Sequence, residues 1–313
     1  MVPAQPGTPS GGACGTAPAL AAPSRRPIVG AAVHDLDRTA PTSFSVATFN
    51  AHAGVDGWGR PYDVVAACRL IDADVLVLEE NWAPDDEPSL ARRAAGALGY
   101  EAHELPLAGG RLARPHPEAD GRWMRPFDWR GRSHAIFLDS ERPFSRQTLR
   151  SPRYASAQPG RWGVALLSRL PVTRSEVLDL GRLSRDRARR AALALCVEVA
   201  GTEVVVAGVH MSHLTYGAPS QFLRLARAIR ATFETGPVVL AGDMNLWGPP
   251  VRLFFPGWRH AVRARTWPSW RPHSQVNHVL VRGGLRVLDG RVVGPVGSDH
   301  RPVRVTLGAK PPT

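Results

Sequence analysis

Apolar residues recur along this chain with two different periods, and the boundaries between them outline the elements. The segment SFSVATFN, residues 43–50, alternates, placing Phe44, Val46 and Thr48 on one side of an extended strand. Short apolar runs bounded by turn residues predict interior strands at 74–82 (DVLVLEENW), 162–168 (WGVALLS), 191–199 (AALALCVEV) and 203–210 (EVVVAGVH). Another run, VVLAGDMNLW at 238–247, opens after Gly236-Pro237 and closes at Gly242. Further strands are predicted at 100–105, 133–139, 276–282, 285–293 and 302–307. The helical period is found at 61–73, where Val64, Val65, Cys68, Leu70 and Ile71 follow a first-turn proline, Pro61. It returns at 88–98 and at 218–234, where Phe222, Leu225, Ile229 and Phe233 share one face. The two halves have a similar outline without an internal repeat, as an α/β sandwich of two sheets with helices outside requires.

Composition adds boundaries to this picture. A hydrophobic content of 43% over 313 residues is that of a globular protein with a large core. Residues 1–42 are rich in Pro, Gly, Ala and Ser and read as a disordered extension. The folded domain is expected over 43–308, with a short tail at 309–313. The formal net charge of +12 implies an anionic partner, although Lys310 is the only lysine and the arginines are spread along the whole chain. In RWMRPFDWRGR, 122–132, Trp123, Phe127 and Trp129 alternate with arginines, as a surface that stacks nucleotides or headgroups would, or as a loop covering the sheet would. Cys14, Cys68 and Cys196 are too few and too scattered for a disulfide framework or a thiolate zinc site. No apolar run reaches about 18 residues, so no membrane span is expected. The N-terminus lacks the basic start and apolar core of a secretory signal, so a cytoplasmic location is expected by default.

Candidate chemistry collects where the apolar strands end. Asn50 follows SVATF, Glu80 follows DVLVLE, His210 ends VVVAGV, Asp243 and Asn245 follow VVLAG, and Asp299-His300 precede PVRVTL. One polar strand end is ordinary, since Asp and Asn commonly cap a strand in a turn. Five drawn from Asn, Glu, His and Asp suit a divalent cation and a phosphate. Carboxylate and amide oxygens are ligands for a hard cation, and histidine exchanges protons near neutrality. Glu79 has the opposite strand parity to Glu80 and reads as the structural carboxylate of the pair.

The ordered set TFN, LEE, GVHMSH, GDMN, VNHVLV and SDHRP, over roughly residues 43–308, resembles the endonuclease/exonuclease/phosphatase superfamily, the DNase I-like metal-dependent phosphohydrolases. GDMN matches its GDxN signature and SDHRP its SDHxP signature. The resemblance implies a four-layer α/β sandwich, with two mixed β-sheets face to face and helices on the outside. It also implies hydrolysis of a phosphoester by in-line attack of water with Mg2+ or Mn2+. On that reading Glu80 is the principal metal ligand, with Asn50 beside it and Asp299 completing the metal end. Asp243 and Asn245 hold the attacking water and the scissile phosphate. His210 donates to a phosphate oxygen or assists the leaving group, and His300 acts as general base or as a cation near the developing charge. Whether His300 or Asp243 takes the proton stays open.

Two positions depart from the pattern. The family's aspartate that orients the histidine is Asn277 here, an amide able to accept from the imidazole but not to supply charge. The implied enzyme is active but attenuated. Val164 stands where relatives place a phosphate-contacting Asn, and Arg189 or Arg190 could replace that contact, against the plainer reading of a solvated charge run. His52, two positions after Asn50, replaces an acidic residue and argues against a dedicated abasic-site repair enzyme. The expected partner is a phosphoester: nucleic acid, nucleotide, inositol phosphate or phospholipid headgroup. The contrasting reading is a non-catalytic nucleic-acid or phospholipid-binding module retaining the fold.

Overall fold

The computed structural model describes residues 43–113, 135–140 and 142–309. The N-terminal extension, the segment 122–132 and Cys14 lie outside the described residues, as do residues 310–313 of the tail. In chain order the elements are β1 (Ser43–Asn50), α1 (Val64–Ile71), β2 (Val75–Pro84), α2 (Leu90–Leu98), β3 (Glu101–Ala113), β4 (Ala135–Leu138), α3 (Arg146–Leu149), α4 (Pro152–Ala155) and β5 (Gln158–Ser168). They continue as β6 (Val172–Gly181), β7 (Arg190–Val199), β8 (Thr202–His210), α5 (Pro219–Thr232), β9 (Val238–Asp243), α6 (Gly248–Phe254), β10 (Arg259–His260), β11 (Asn277–Arg282), β12 (Arg286–Val292) and β13 (Val303–Gly308).

The strands form two mixed sheets. One runs β12-β13-β1-β2-β5-β3-β4 and the other β10-β11-β9-β8-β7-β6. β1 and β2 are parallel, as are β8 and β9, and the remaining pairings are antiparallel. Alternation divides the apolar side chains into three cores. Phe44, Val46, Val75, Val77, Val164 and Leu166 of the first sheet meet Leu193, Leu195, Val206, Val239 and Val279 of the second. The opposite parity of the first sheet, with Phe49, Leu76, Leu78 and Leu167, packs under α1 and α2. That of the second, with Ala194, Val205, Leu240 and Leu280, packs under Phe222, Leu225 and Ile229 of α5 and Val251 of α6. Three buried cores between four layers are the α/β sandwich expected from the sequence.

Element ends follow local chemistry. α1 begins at Val64, later than Pro61, because the Asp63 side chain accepts from Ala66 N–H as its N-cap. Ser89 caps α2 in the same way. β6 was not expected: it is an edge strand with one face mostly exposed, so VTRSEVLDLG lacks an apolar run. α6 opens on Gly248, Pro249 and Pro250, a turn signature that here begins a helix. Cys68 and Cys196 are buried thiols in two different cores, as expected of small core residues. Among the described residues no helix is long and apolar enough to cross a membrane.

Candidate active site

The rows of side chains that fill the inter-sheet core turn polar at one end. Asn50 continues the row of Phe44, Val46 and Thr48, and His210 that of Val204 and Val206. Asp243 continues Val239 and Ala241, and Asn277 precedes Val279 and Val281. Register aligns these ends, since His210 is paired with Asp243 and Asp243 with Asn277. Gly242 lets β8 and β9 close up here, because a Cβ on it would lie 1.9 Å from the Val209 carbonyl oxygen.

Two residues reach the site by leaving the strand pattern. Glu80 has φ +51° at an irregularity in the pairing with β5 between Glu79 and Asn81, which turns it out of the ladder. Asn245 has φ +48° and lies beyond the end of β9, so strand alternation does not set where it points. The two remain adjacent because Asn245 N–H donates to Asp243 Oδ1 at 2.9 Å.

Asp243 is the centre of the cluster and is 1% exposed. Its Oδ2 accepts from Asn50 Nδ2 at 3.0 Å and lies 3.7 Å from His300 Nδ1 and 3.8 Å from His210 Nε2. Asn50 Nδ2 also reaches Glu80 Oε1 at 3.2 Å, and its Oδ1 accepts from His52 N–H. Asp299 accepts from Trp267 Nε1 at 3.2 Å and stands 3.3 Å from His52 Nδ1 and 3.9 Å from His300 Nε2. All eight expected site residues therefore share one mouth. Among the described residues no three His, Cys, Asp or Glu side chains close into a metal cage.

Asn277 Oδ1 is 2.9 Å from His300 Nδ1, so the amide oxygen accepts the imidazole N–H and leaves Nε2 with a lone pair. The Asn277 Nδ2 group is buried without a partner. His210 is held in a different tautomer. Asn245 Nδ2 donates to the Met211 carbonyl at 3.0 Å, which fixes the amide's orientation, and presents its other hydrogen to His210 Nε2 at 3.2 Å. Nε2 therefore accepts, and the His210 proton sits on Nδ1, which has no partner. A donating role for Nε2 does not fit this arrangement.

A model of the Endonuclease/Exonuclease/phosphatase family matches residues 47–300, most of the chain and every strand end described above. The chain belongs to the endonuclease/exonuclease/phosphatase family. The uncharacterized protein YbhP of Escherichia coli (strain K12) is 27% identical over 266 residues, covering 79% of this chain and 87% of YbhP. Among solved structures, an endonuclease/exonuclease/phosphatase family protein from Leptotrichia buccalis superposes with a TM-score of 0.58 at 13% identity, covering 85% of this chain and all of that one. A Bacteroides thetaiotaomicron mannosyl-6-phosphatase gives 0.57 at 14% identity, covering 84% and 99%. At such identities the structural likeness establishes the fold. Membership of the endonuclease/exonuclease/phosphatase family supports phosphoester hydrolysis as the reaction class.

Around this family site the structure places Glu79 as the structural carboxylate expected from its parity, and it adds Ser298, which sequence reasoning missed. Glu79 is fully buried beneath it, accepts from Thr48 Oγ1 at 2.6 Å, and has an orphaned Oε2. Burial pushes its carboxyl well above the usual range, with Asp243 and Glu80 adding to the shift. Ser298 Oγ donates to the Asn50 carbonyl and accepts from His300 N–H, tying the two ends of the domain together. Val164 is fully buried in the inter-sheet core and offers no substrate contact.

Arg189 and Arg190 part company. Arg189 is exposed and paired with Asp179, whereas Arg190 is buried, correcting the reading of both as a solvated charge run. Arg190 Nε donates to Asp186 at 2.8 Å, its Nη1 reaches the His210 carbonyl at 3.2 Å, and its guanidinium covers Trp162, whose ring meets that of His210 at a tilt of 49°. Ser212 Oγ also donates to Asp186. Burial alone would raise the Asp186 carboxyl, but Arg190 and these bonds outweigh it and hold it low. Spacing four apart with intervening charges gave no sign that this pair is interior. Asp186→Ala strands the guanidinium and is expected to cost about 3–5 kcal/mol in urea unfolding. A loss under about 1 kcal/mol would mean the pair does not brace the His210 strand end.

Three histidines, His210 and His278 buried and His260 half-buried, give stability a pH dependence. Burial lowers His210 to about 3 and both His260 and His278 to about 4, so each is neutral in the folded protein. Unfolded histidine titrates near 6.5, so the unfolded chain binds more protons between these values. Their contribution is complete above about pH 6.5 and falls as pH drops toward about 4, by on the order of 1.4 kcal/mol per pH unit for each fully buried group, less for the half-buried His260. The urea midpoint is expected to be lower at pH 5 than at pH 7.5. An equal midpoint would contradict neutral burial.

Proposed function

We propose that this protein is a divalent-metal-dependent hydrolase of phosphoester bonds, in which Asp243 organises the reacting groups. The observation that carries the reading is the convergence of Asn50, His210, Asn245 and His300 on one buried carboxylate, with Asn277 bonded to His300. A phosphate ester is anionic, and its attack by water develops further negative charge. Glu80 and Asp299 supply hard oxygen donors that suit Mg2+ or Mn2+, which need few protein ligands and retain several waters, and Asn50, whose amide nitrogen faces Glu80, would turn its oxygen to join them. The fit is supported by Asn50 Nδ2 standing between Glu80 and Asp243, two carboxylates whose convergence favours a cation. When bound, such an ion neutralises charge on the phosphate oxygens.

The protein groups then divide the remaining work. His300 Nε2 accepts the proton of the attacking water while the new P–O bond forms and the ester P–O bond breaks. Asn277 fixes the His300 tautomer through its amide oxygen. Asp243, 3.7 Å away, supplies the negative charge that Asn277 lacks, and this supports an attenuated activity instead of none. His210 fixes the Asn245 amide by accepting one of its hydrogens while the Met211 carbonyl takes the other, which leaves the amide oxygen to accept from the attacking water.

The name of the mannosyl-6-phosphatase neighbour shows one phosphoester chemistry that this architecture hosts. The test is hydrolysis of bis-p-nitrophenyl phosphate and p-nitrophenyl phosphate with Mg2+, Mn2+ or EDTA. Turnover abolished by EDTA and restored by metal is expected, with the preferred compound separating diesterase from monoesterase. Absence of turnover, with salt-sensitive and metal-independent binding of nucleic acid or phospholipid, would install the binding-module reading instead.

A further inference from the structure

Beside His300 and Asn245 lies a cavity of about 410 Å³ that the chemistry above does not use. Its walls are Trp247, Trp267, Leu214, Leu246 and Val276, and the rings of His213 and His273 and the Ser274 side chain also line it. The volume falls within the range of small-molecule sites. Among the described residues no carboxylate, lysine or arginine lines it.

Several of the polar groups within reach are already committed. Trp267 Nε1 donates to Asp299, His273 Nδ1 bonds to Ser274 Oγ, and both Asn245 amide hydrogens are taken by Met211 and His210. A polyol such as a sugar, inositol or glycerol would bring several hydroxyls and find few partners for them, at the cost of desolvating each. A flat ring needs no such partners and gains from stacking. Trp267 is held edge-on to His273, with ring centroids 5.3 Å apart, and Trp247 stands at the mouth, 54% exposed.

From these observations, and resting on the hydrolase reading, we infer that the cavity receives an aromatic ring carried by the phosphoester substrate, with Trp247 as the specificity-determining residue. The substrate class is therefore an aryl or nucleoside phosphate. Stacking on one aromatic side chain is worth roughly tenfold in affinity.

The experiment is calorimetric binding to the full-length protein with Mg2+, using phosphonates whose C–P bond resists hydrolysis. Phenylphosphonate is expected to bind about tenfold more tightly than 2,3-dihydroxypropylphosphonate. Trp247→Ala should bring that ratio close to one, and Trp247→Phe should restore it. An adenosine phosphonate binding more tightly than phenylphosphonate assigns the ring to a nucleobase, and the reverse order assigns it to a simple aryl group. Equal affinities for ring and diol in the unmodified protein, or a ratio unchanged by Trp247→Ala, would overturn the inference even if metal-dependent hydrolysis is observed. Trp247-dependent ring binding without any turnover would instead remove the hydrolase reading and leave the ring pocket standing.

Discussion

Asp243→Ala is expected to lower phosphodiester hydrolysis by about 10³-fold or more while leaving the protein folded. The size of the effect follows from how many groups that carboxylate holds. Asn50, Asn245, His210 and His300 all approach it within 3.8 Å, so its removal frees an amide, a turn and two imidazoles together. Losses of this kind do not add, because the groups act as a unit. Asp243→Asn keeps the volume but replaces one acceptor oxygen with a donor facing Asn50 Nδ2 or Asn245 N–H, and a similarly large loss is expected. Steady-state rates at saturating Mg2+, with circular dichroism to check folding, decide the matter. Activity within about tenfold of the unmodified protein would remove Asp243 from the centre of the mechanism.

Asn277→Asp should act in the opposite direction, raising the hydrolysis rate by roughly ten- to a hundredfold. In a serine protease the reverse change beside a catalytic histidine costs about 10⁴-fold. A smaller gain is expected here because Asp243 already places a charge 3.7 Å from His300 Nδ1. The aspartate would also remove the buried, unpartnered Nδ2 of Asn277. Its charge favours the imidazolium, so the acid limb of the pH–rate profile should move to higher pH. Metal affinity, measured by Mn2+ titration, should stay unchanged because Asn277 faces His300 and not Glu80. An unchanged or lower rate would show that His300 is not limited by the missing charge.

Much of this site was legible because a strand's alternation carries a prediction one residue past its apolar run. Val239 and Ala241 fix where Asp243 points, and Phe44, Val46 and Thr48 do the same for Asn50. The residues that escaped are those whose placement depends on a break in the pattern or on a distant contact. Glu80 was found from its motif, yet the positive φ that exposes it is a property of the pairing with β5. Asn245 was likewise found from its motif, GDMN, while its placement depends on a positive φ beyond the strand end. Arg190 looked solvated because nothing local announces that Asp186, Ser212 and Trp162 surround it. The aromatic cavity was hidden for a related reason: its walls come from segments as distant as 214, 247 and 267, outside the regular strands.

The continuity between core rows and polar strand ends also limits how such a protein can change over descent. Inserting or deleting one residue within β1, β8, β9 or β11 would exchange its two faces, sending an inter-sheet side chain outward and the polar end away from the mouth. Folding and chemistry would fail in the same event, so lineages can lengthen or shorten these strands only by even steps. The connections that carry Trp247 and Trp267 are under no such parity rule. New substrates are therefore reached by remodelling those connections over an almost unalterable set of strand ends.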